Sequence, residues 1–446
     1  MRNPGRPGAW GFVRARPWYQ SVMPEKLPPP RSLWQETAVP AADYPPVSGT
    51  VRAEIAVVGG GYTGLSAALH LAEAGRDVAV IEARSPGWGA SGRNGGQVIA
   101  GVKHDPEALL ALFGPGVGGR LVETVGAAPD AVFGLIARHG IACDAVRAGW
   151  IQPAVSAATL SVSRERVRQW RAAGADVSLL DAAEMARLLG SQAYVGGMLD
   201  GRGGTVQPLS YARGLAAAAA RAGARIFAET KATALERAGS GWRLAVPSGE
   251  VLAERVILAT NAYSDRLHDG LRRSVIAVPS WQVATGPLPL SVRETILPGR
   301  QSGSDMRRLL RYFRLDADGR FVIGARGSYA EPQPGSSLKR LCEAAVKIFP
   351  QLRGVAFDYQ WGGMVALTSD HLPHLNVLAP GLFAGLGYNG RGVAMATVMG
   401  RELAALATDD AAGLPVAPLR PVRFHAASRL GVLTTVAWYR MLDGAA

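Results

Sequence analysis

A short apolar strand that runs directly into a glycine-rich turn and a helix constrains the fold of this chain more than any other feature. In the segment Glu54–Gly64, four apolar residues follow Glu54 and lead into Gly-Gly-Gly-Tyr-Thr-Gly. Leu65–Gly75 has apolar residues at helical spacing and ends at a glycine, and Asp77–Ile81 has the composition of a second buried strand. The order strand, turn, helix, strand predicts a βαβ unit with parallel strands, and therefore an α/β fold.

Three glycines of this turn have separate geometric roles. Gly59 permits the sharp turn, Gly61 lets the backbone approach a pyrophosphate, and Gly64 lets the helix lie close to the strand. The amides at the helix N-terminus then face the phosphates. Glu82, at the end of the second strand, is placed to accept hydrogen bonds from both ribose hydroxyls. The pattern predicts a dinucleotide site. Because the acidic Glu82 disfavours a 2′-phosphate, the remaining candidates for the bound dinucleotide are NAD and FAD.

A second glycine-rich segment, Gly87–Gln97, follows the ribose-binding strand and reads GWGASGRNGGQ. It is too rich in small and polar residues for an ordinary helix start, and its backbone can wrap a large cofactor. With this segment the chain resembles the glycine oxidase/D-amino acid oxidase superfamily of FAD-dependent oxidoreductases, particularly its γ-glutamylputrescine oxidase-like branch. The resemblance selects FAD over NAD.

The resemblance extends over most of the chain, from about Ser32 to Ala407. Four further segments carry it in the same order as in the family: Gly201–Leu215, Val256–Tyr263, Trp361–Pro373 and Gly385–Val393. The last of these is again a glycine turn that opens a helix. Matches in this order imply the family's whole architecture, not an isolated nucleotide-binding motif.

The implied fold is a Rossmann-type FAD-binding domain with an interleaved antiparallel α+β substrate (cap) domain. The clearest cap element is a hairpin, in which Leu309–Leu315 and Arg320–Ala325 flank the polar turn Asp316–Gly319. The predicted division is a flexible N-terminal extension at 1–31, an FAD-binding domain at 32–105, 200–272 and 355–410, a cap at 106–199 and 273–354, and a C-terminal tail at 411–446 that packs on both domains.

Composition fits a globular enzyme, with 446 residues that are 48% hydrophobic and 19% charged. No run approaches the ~20 consecutive apolar residues of a membrane span, so none is expected. The net charge of +13 would suit nucleic acid, but the basic residues are scattered and the densest run, Ser163–Arg171, contains an acid. Nucleic acid binding is therefore not expected.

Cys143 and Cys342 are the only cysteines, which favours a reducing cytoplasm. His371 and His374 lack a third ligand, so no metal site is predicted.

The resemblance also implies which residues contact the cofactor. The predicted FAD contacts are Gly59, Gly61, Tyr62, Thr63, Gly64, Glu82, Ala83, Gly89, Ala90, Ser91, Arg93, Asn94, Gly95, Gly96, Gln97, Ala232, Thr260, Gly387, Gly390, Arg391, Gly392 and Val393. The GWGASGRNGGQ segment contains neither histidine nor cysteine, and Trp361–Pro373 contains no cysteine. We therefore expect FAD to be bound non-covalently.

The family chemistry is oxidation of a carbon–nitrogen bond in an amine or N-substituted amino acid. A hydride leaves the carbon beside a neutral amine for the flavin, and the resulting imine hydrolyses. Molecular oxygen or an electron carrier then takes the electrons, so an oxidase and a dehydrogenase both remain open. A third alternative is a flavoprotein that acts on RNA or as an assembly factor, although no clustered basic stretch supports it.

The sequence is less informative about substrate contacts. Tyr312 and Arg314 share one face of the hairpin strand and are predicted to line the cavity; the alternative is that both only pack within the sheet. Trp361 is predicted either as an aromatic wall of this cavity or as a core residue. Arg391 stands where the family commonly has histidine, and it either holds a substrate anion or the anionic flavin, or contacts the FAD phosphates. The stretch Met364–Ala366 lacks the carboxylate-binding arginine of the amino-acid-oxidising branch, which argues against a simple α-amino acid substrate.

Overall fold

The structure is a computed structural model and describes residues 32–327, 337–423 and 425–444. The predicted N-terminal extension, 1–31, lies outside the described residues. The helices are α1 Leu33–Thr37, α2 Tyr62–Glu73, α3 Pro106–Gly126, α4 Ala128–His139, α5 Ala157–Ala172, α6 Ala182–Leu189, α7 Pro208–Arg221, α8 Asp269–Arg273, α9 Leu290–Arg293, α10 Ser337–Ile348, α11 Gly392–Ala407 and α12 Ser428–Gly444.

The strands fall into two large sheets and one small ribbon. They are β1 Gly49–Val58, β2 Val78–Ile81, β3 Gln97–Val98, β4 Trp150–Ala154, β5 Val177–Leu180, β6 Gly196–Asp200, β7 Gly204–Thr205, β8 Arg225–Phe227, β9 Ala234–Ala238, β10 Gly241–Val246, β11 Gly249–Leu258, β12 Ile276–Pro287, β13 Ser302–Ser304, β14 Arg311–Leu315, β15 Arg320–Arg326, β16 Phe357–Leu367, β17 His374–Ala379 and β18 Leu382–Leu386.

The first sheet contains the predicted βαβ unit at its centre. Its order is β17-β18-β11-β1-β2-β8, with β10 and β9 added antiparallel to β11. The strands β18, β11, β1, β2 and β8 are parallel, and Val57 of β1 lies opposite both Ile257 and Val80. Helices α2, α7 and α11 share an apolar core with the inner strands of this sheet. This arrangement confirms the Rossmann-type organisation that the glycine pattern predicts.

The second sheet has the order β16-β12-β15-β14-β13-β4-β6-β5 and is antiparallel except for the β13–β4 pair. It draws its strands from separate stretches of the chain, which interleave with those of the first sheet. The predicted hairpin is confirmed as β14 and β15, and the Asp316 carboxylate accepts a hydrogen bond from the Arg320 amide in its turn at 2.8 Å. A sheet of this kind matches the predicted antiparallel cap.

The position of β16 corrects the predicted boundary at residue 355. That boundary assigns 355–410 to the FAD-binding domain, yet β16 pairs with β12 from Ile276↔Leu367 to Thr285↔Phe357. Residues 357–367 therefore belong to the second sheet. The apolar pattern of a strand does not identify its pairing partner, and this partner lies about eighty residues earlier in the chain.

Helix α3 is the one described helix whose length and composition would allow it to cross a membrane. Its best window has a mean hydropathy of 1.2, and 22% of that window is buried. However, the backbone breaks at Gly114 (φ 73°, ψ 167°), directly before Pro115. Each part is shorter than the ~20 residues that a spanning helix needs.

The chain after α11 returns along the first sheet. Val416 forms a parallel bridge with Leu375 of β17, and the Ala417 amide donates to the Leu375 carbonyl oxygen at 2.8 Å. The side-chain amide of Asn376 donates to the Ala417 carbonyl oxygen at 2.6 Å. This part of the predicted C-terminal tail therefore covers the β17 edge.

Close packing of α2 against β1 gives a direct test of the fold. A Cβ atom at Gly64 would overlap the Gly59 carbonyl oxygen. We expect Gly64→Ala to lower the free energy of unfolding by about 2 kcal/mol, as overpacking does. Gly134→Ala is the matched control, because a Cβ atom at this exposed position in α4 would meet nothing within 4 Å. Urea unfolding should show the control to be slightly stabilised; equal stability of both variants would contradict the packing.

Candidate cofactor and substrate site

The first glycine turn joins β1 to α2 and lies against the second glycine-rich segment. Gly59 has a φ of +111°, a conformation that favours glycine. Gly61 is the N-cap of α2, and the next amide, that of Tyr62, donates to the Ser91 hydroxyl at 2.9 Å. Ser91 belongs to the second segment, so the two predicted cofactor-binding segments meet at the N-terminus of α2.

Glu82 lies just after β2, and its carboxylate accepts hydrogen bonds from the Gly60 amide at 2.6 Å and the Arg84 amide at 2.8 Å. Burial raises the pKa of Glu82, although the two amides oppose this shift. The side chain nevertheless keeps part of its surface accessible. The Thr230 amide donates to the Glu82 carbonyl oxygen at 2.8 Å, which brings the segment containing Ala232 beside it.

The second glycine-rich segment holds its own shape through side-chain contacts. The Arg93 Nε donates to the Trp88 carbonyl oxygen at 2.7 Å, and the guanidinium lies 4.4 Å from the centre of the Trp88 ring system. Asn94 donates to the Ser91 carbonyl oxygen at 2.8 Å and accepts from the Gly96 amide at 2.8 Å. These contacts fix the shape of the second glycine-rich segment. Its other predicted cofactor contacts are Gly89, Ala90, Gly95 and Gln97.

The third glycine turn lies between β18 and α11. Gly387, Asn389 and Gly390 all have positive φ angles, of 81°, 52° and 90°. Asn389 stabilises the turn, because its Oδ1 accepts a hydrogen bond from the Thr368 amide at 3.0 Å. The Gly387 amide donates to Oδ1 of Asn261 at 2.9 Å, which links the turn to the end of β11. The predicted contacts beside this turn are Thr260, Gly392 and Val393.

A hydroxyl pair joins the first and third turns. The hydroxyls of Thr63 and Tyr388 are 2.5 Å apart, and both residues are buried. Thr63 lies in the first turn of α2, and Tyr388 lies four residues before α11 begins. The N-termini of the two helices consequently open on the same region, so both present backbone amides to one elongated ligand.

Arg391, the residue before α11, directs its guanidinium towards the second sheet. Its Nη1 donates to the Ala100 carbonyl oxygen, and the Trp150 ring of β4 lies 5.2 Å from the guanidinium carbon. Burial lowers the pKa of Arg391 to about 10. These contacts place the charge on the side of the second sheet rather than at the first glycine turn.

Tyr312 borders the second glycine-rich segment. A Cβ atom at Gly95 would lie 2.9 Å from the Tyr312 ring. The Tyr312 hydroxyl is 2.8 Å from the Ser280 hydroxyl. Burial raises the pKa of Tyr312. The phenol therefore stays protonated near neutral pH and acts as a hydrogen-bonding group, not as a base.

Arg314 and Trp361 are both buried among protein atoms, which favours the packing alternative for each of them over a place on the cavity wall. Arg314 is 2% exposed, its Nη1 donates to the Val206 carbonyl oxygen at 2.6 Å, and its guanidinium carbon lies 5.5 Å from the Trp34 ring. Trp361 is 1% exposed, and its indole donates to the Arg93 carbonyl oxygen at 3.1 Å. Their contacts hold the second sheet against the cofactor-binding segments.

Two residues near the site are absent from the sequence-based prediction. The Tyr263 hydroxyl accepts a hydrogen bond from the Met364 amide at 3.3 Å, and its ring packs edge-on against Trp88 with centroids 6.1 Å apart. Lys103 follows the second glycine-rich segment and is solvent-accessible. Tyr263 is the last residue of Val256–Tyr263, one of the segments that carry the family resemblance, so the sequence contains a signal that could have identified it. Lys103 lies in no such segment, and the sequence contains no comparable signal for it.

The residues fit an FAD molecule by their own geometry. Glycine at position 61 leaves the approach to the α2 N-terminus free of a side chain, the accessible Glu82 carboxylate marks the ribose end, and the third turn opens a second helix N-terminus. Within the described ranges, no group of three or more His, Cys, Asp or Glu residues is placed to hold a metal ion.

Comparisons with known proteins agree with this geometry. The family model "FAD dependent oxidoreductase" matches residues 54–406. The chain is 32% identical over 382 residues to gamma-glutamylputrescine oxidoreductase of Escherichia coli, covering 85% of this chain and 89% of that protein. It is also 32% identical over 392 residues to the probable oxidoreductase OrdL of Haemophilus influenzae, with 85% and 89% coverage. The crystal structure of glycine oxidase from Geobacillus kaustophilus superposes with a TM-score of 0.71 at 26% identity, over 84% of this chain and 99% of that one. The chain therefore belongs to the family of FAD-dependent oxidoreductases that includes glycine oxidase.

Proposed function

We propose that this protein oxidises the carbon–nitrogen bond of an amine or N-substituted amino acid. The observation that carries the proposal is the convergence of two helix N-termini, joined by the Thr63–Tyr388 hydroxyl pair, beside a second sheet that carries Tyr312 and that the Arg391 guanidinium approaches at Trp150. The names of its relatives, gamma-glutamylputrescine oxidoreductase and glycine oxidase, support amines and amino acids as the substrate class.

We further propose that the first sheet with its helices holds FAD and that the second sheet bounds the substrate cavity. Glu82 and the segment around Ala232 would hold the adenosine end, the N-terminus of α2 the pyrophosphate, and the turn Gly387–Val393 the flavin end. The accessible Ala83 adjoins the adenosine end. When bound, FAD supplies the acceptor for the hydride that leaves the substrate carbon.

The chain's own groups orient the substrate. The Tyr312 and Ser280 hydroxyls form a neutral pair that accepts or donates a hydrogen bond without removing a proton. Arg391 contributes positive charge on the side of the second sheet. The amine therefore has to arrive at the site in its neutral form, and the protein contributes position and electrostatics.

The binding of FAD is proposed to be non-covalent. Cys143 is buried in the apolar core of the first sheet, and Cys342 lies on α10, which packs on the second sheet. Neither belongs to a predicted cofactor-binding segment. We propose a cytoplasmic location because both thiols are free in a chain that has few cysteines. Molecular oxygen and an electron carrier remain alternative acceptors.

Anaerobic flavin absorbance tests the proposed reaction. Purified holoenzyme should bleach when mixed with one member of a panel of polyamines, γ-glutamylated amines and N-methyl amino acids. Readmission of air then separates an oxidase, which recovers its colour quickly, from a dehydrogenase that needs a carrier. If the whole panel leaves the flavin oxidised, the amine-oxidising function is rejected in favour of the RNA or assembly role, which salt-sensitive RNA binding would support.

Gly61→Val tests the approach of the pyrophosphate to α2. The branched side chain would stand between the helix N-terminus and its ligand, so we expect at least a tenfold loss of FAD affinity with little loss of secondary structure. Gly116→Val is the control, because a Cβ atom there would meet nothing within 4 Å. The absorbance ratio of flavin to protein and circular dichroism provide the measurement. Full FAD content in Gly61→Val would contradict the assigned site.

Arg391→Gln distinguishes a phosphate contact from a contact on the substrate side. Because the Arg391 guanidinium lies against Trp150 and Ala100, we expect the variant to retain FAD while the flavin is reduced at least tenfold more slowly. Stopped-flow absorbance measures the rate, and Arg391→Lys, which keeps the charge, should recover part of it. Loss of FAD with an unchanged rate in the reconstituted enzyme would assign Arg391 to the phosphates instead.

A further inference from the structure

A cavity of about 430 Å³ lies among residues that the proposed reaction does not use. Its walls come from α1, from the hairpin β14–β15 with its turn, and from the two positions Asp144 and Gln207. None of its lining residues is a predicted FAD contact, and neither Tyr312 nor Arg391 borders it. Its volume falls in the range of roughly 300–1,000 Å³ that small-molecule sites occupy. We call it the hairpin cavity.

Arg314 of β14 lines the hairpin cavity with a side chain that is 2% exposed. Its Nε donates to the Leu315 carbonyl oxygen at 3.1 Å, and its Nη1 donates to the carbonyl oxygens of Gly96 and Val206 at 3.2 and 2.6 Å. The third nitrogen, Nη2, has no hydrogen-bond partner among the described residues. A desolvated guanidinium whose acceptors are all neutral carbonyl groups therefore keeps one donor group unused.

Three of the four carboxylates that line the cavity are engaged by other side chains. Arg320 binds both Asp316, at 3.0 Å, and Asp318. Glu36 accepts a hydrogen bond from the Tyr359 hydroxyl at 2.7 Å. These three carboxylates are therefore already paired within the protein.

Asp144 is the fourth carboxylate, and it has no hydrogen bond or ion pair within the part of the chain that the structure describes. The residue is exposed, and its backbone has a φ of 47°. The Gln207 amide donates to the Cys143 carbonyl oxygen at 2.7 Å, so the backbone next to Asp144 is tied to the residue that precedes α7. The unpaired carboxylate is therefore anchored at the cavity wall.

The guanidinium of Arg314 is likewise held in place before any ligand arrives. Its carbon lies 5.5 Å from the Trp34 ring, and the Trp34 indole donates to the Asn94 carbonyl oxygen at 2.8 Å. Burial lowers the pKa of Arg314 to about 10, and the negative charges of Asp316 and Asp144 oppose this shift. Groups that are fixed in advance reduce the entropic cost of binding a ligand.

We propose that the hairpin cavity binds a small zwitterionic amino carboxylate, whose carboxylate pairs with Nη2 of Arg314 and whose ammonium group pairs with Asp144. Hydrogen bonds between a guanidinium and a carboxylate are among the strongest that proteins form. The inference stands apart from the proposed function, because the residues assigned to the flavin side, Tyr312 and Arg391, do not border this cavity.

The charges of the cavity wall favour a zwitterion over an ion of one sign. Four carboxylates and two guanidiniums line the cavity. A monocarboxylate would pair with Arg314 but would be repelled by the unpaired Asp144. An alkylamine would pair with Asp144 but would be repelled by Arg314. A molecule that carries both charges satisfies both groups.

Anaerobic calorimetry on the holoenzyme tests the inference with the ω-amino acids from glycine to 5-aminopentanoate. We expect at least one member of this series to bind. The alkanoate and the alkylamine with the same number of carbon atoms should each bind about tenfold or more weakly, as expected for loss of one charged hydrogen bond. Absence of binding by every member of the series would overturn the inference.

Two variants test the paired charges. Asp144→Asn removes one charge, introduces a residue that tolerates a positive φ, and breaks no contact among the described residues. It should unfold at the temperature of the wild type and bind the zwitterion about tenfold or more weakly. Arg314→Gln should lower the affinity at least as much, and it should also unfold at a lower temperature because the carbonyl oxygens of Gly96 and Val206 lose a donor. Asp43→Asn, at an exposed position outside the cavity, is the matched control and should bind as the wild type does.

Equal affinity in the wild type and Asp144→Asn would overturn the inference. Equal bleaching of the flavin by the same probe in both proteins would then assign its binding to the amine-oxidising site. Weakened binding in Asp144→Asn, with no amine that bleaches the flavin, would support the hairpin cavity and reject the proposed function.

Discussion

Close packing of α2 against α11 is the constraint on which the rest of the site depends. A Cβ atom at Gly400 would lie 2.5 Å from both the Ser66 Cβ and the Thr63 carbonyl oxygen, so only glycine permits this approach. The Ser66 hydroxyl donates to the Thr397 carbonyl oxygen at 2.7 Å across the same contact. The two helices are held together along their length, and the Thr63–Tyr388 pair completes the contact at their N-termini. Two helix N-termini consequently open on one region.

The electrostatics of the site follow from this geometry. Glu82 and Arg391 are both desolvated and both keep part of their surface accessible, but they carry opposite charge. Glu82 follows β2 in the first sheet, where ribose hydroxyls would donate to it, whereas Arg391 lies towards the second sheet. Charges that are costly in the free protein are suited to polar ligands, because desolvation strengthens each ion pair or hydrogen bond formed there.

The parts that were predictable from the sequence are those that depend on local geometry. Gly59 and Gly61 identify the βαβ unit because the turn and the close approach each require glycine, and the hairpin β14–β15 follows from its Asp/Gly turn. The family resemblance supplied the order of the remaining segments. The membership of β16 in the second sheet was not predictable, because strand partners are chosen by tertiary packing.

The direction of individual side chains was the other feature that could not be predicted from the sequence. Tyr312 and Arg314 share a strand face, yet Tyr312 packs against Gly95 while Arg314 turns to the Val206 carbonyl oxygen under Trp34. The two-residue period of a strand predicts on which face of the sheet a side chain lies, but it does not predict which residues pack over that face.

The stoichiometry and release of flavin from the purified protein decide whether this chain holds FAD and holds it non-covalently. We expect one FAD per chain by absorbance and its full release into the supernatant after acid precipitation. A colourless protein that cannot be reconstituted with FAD would contradict the assigned fold of the site, and flavin that stays in the precipitate would contradict non-covalent binding.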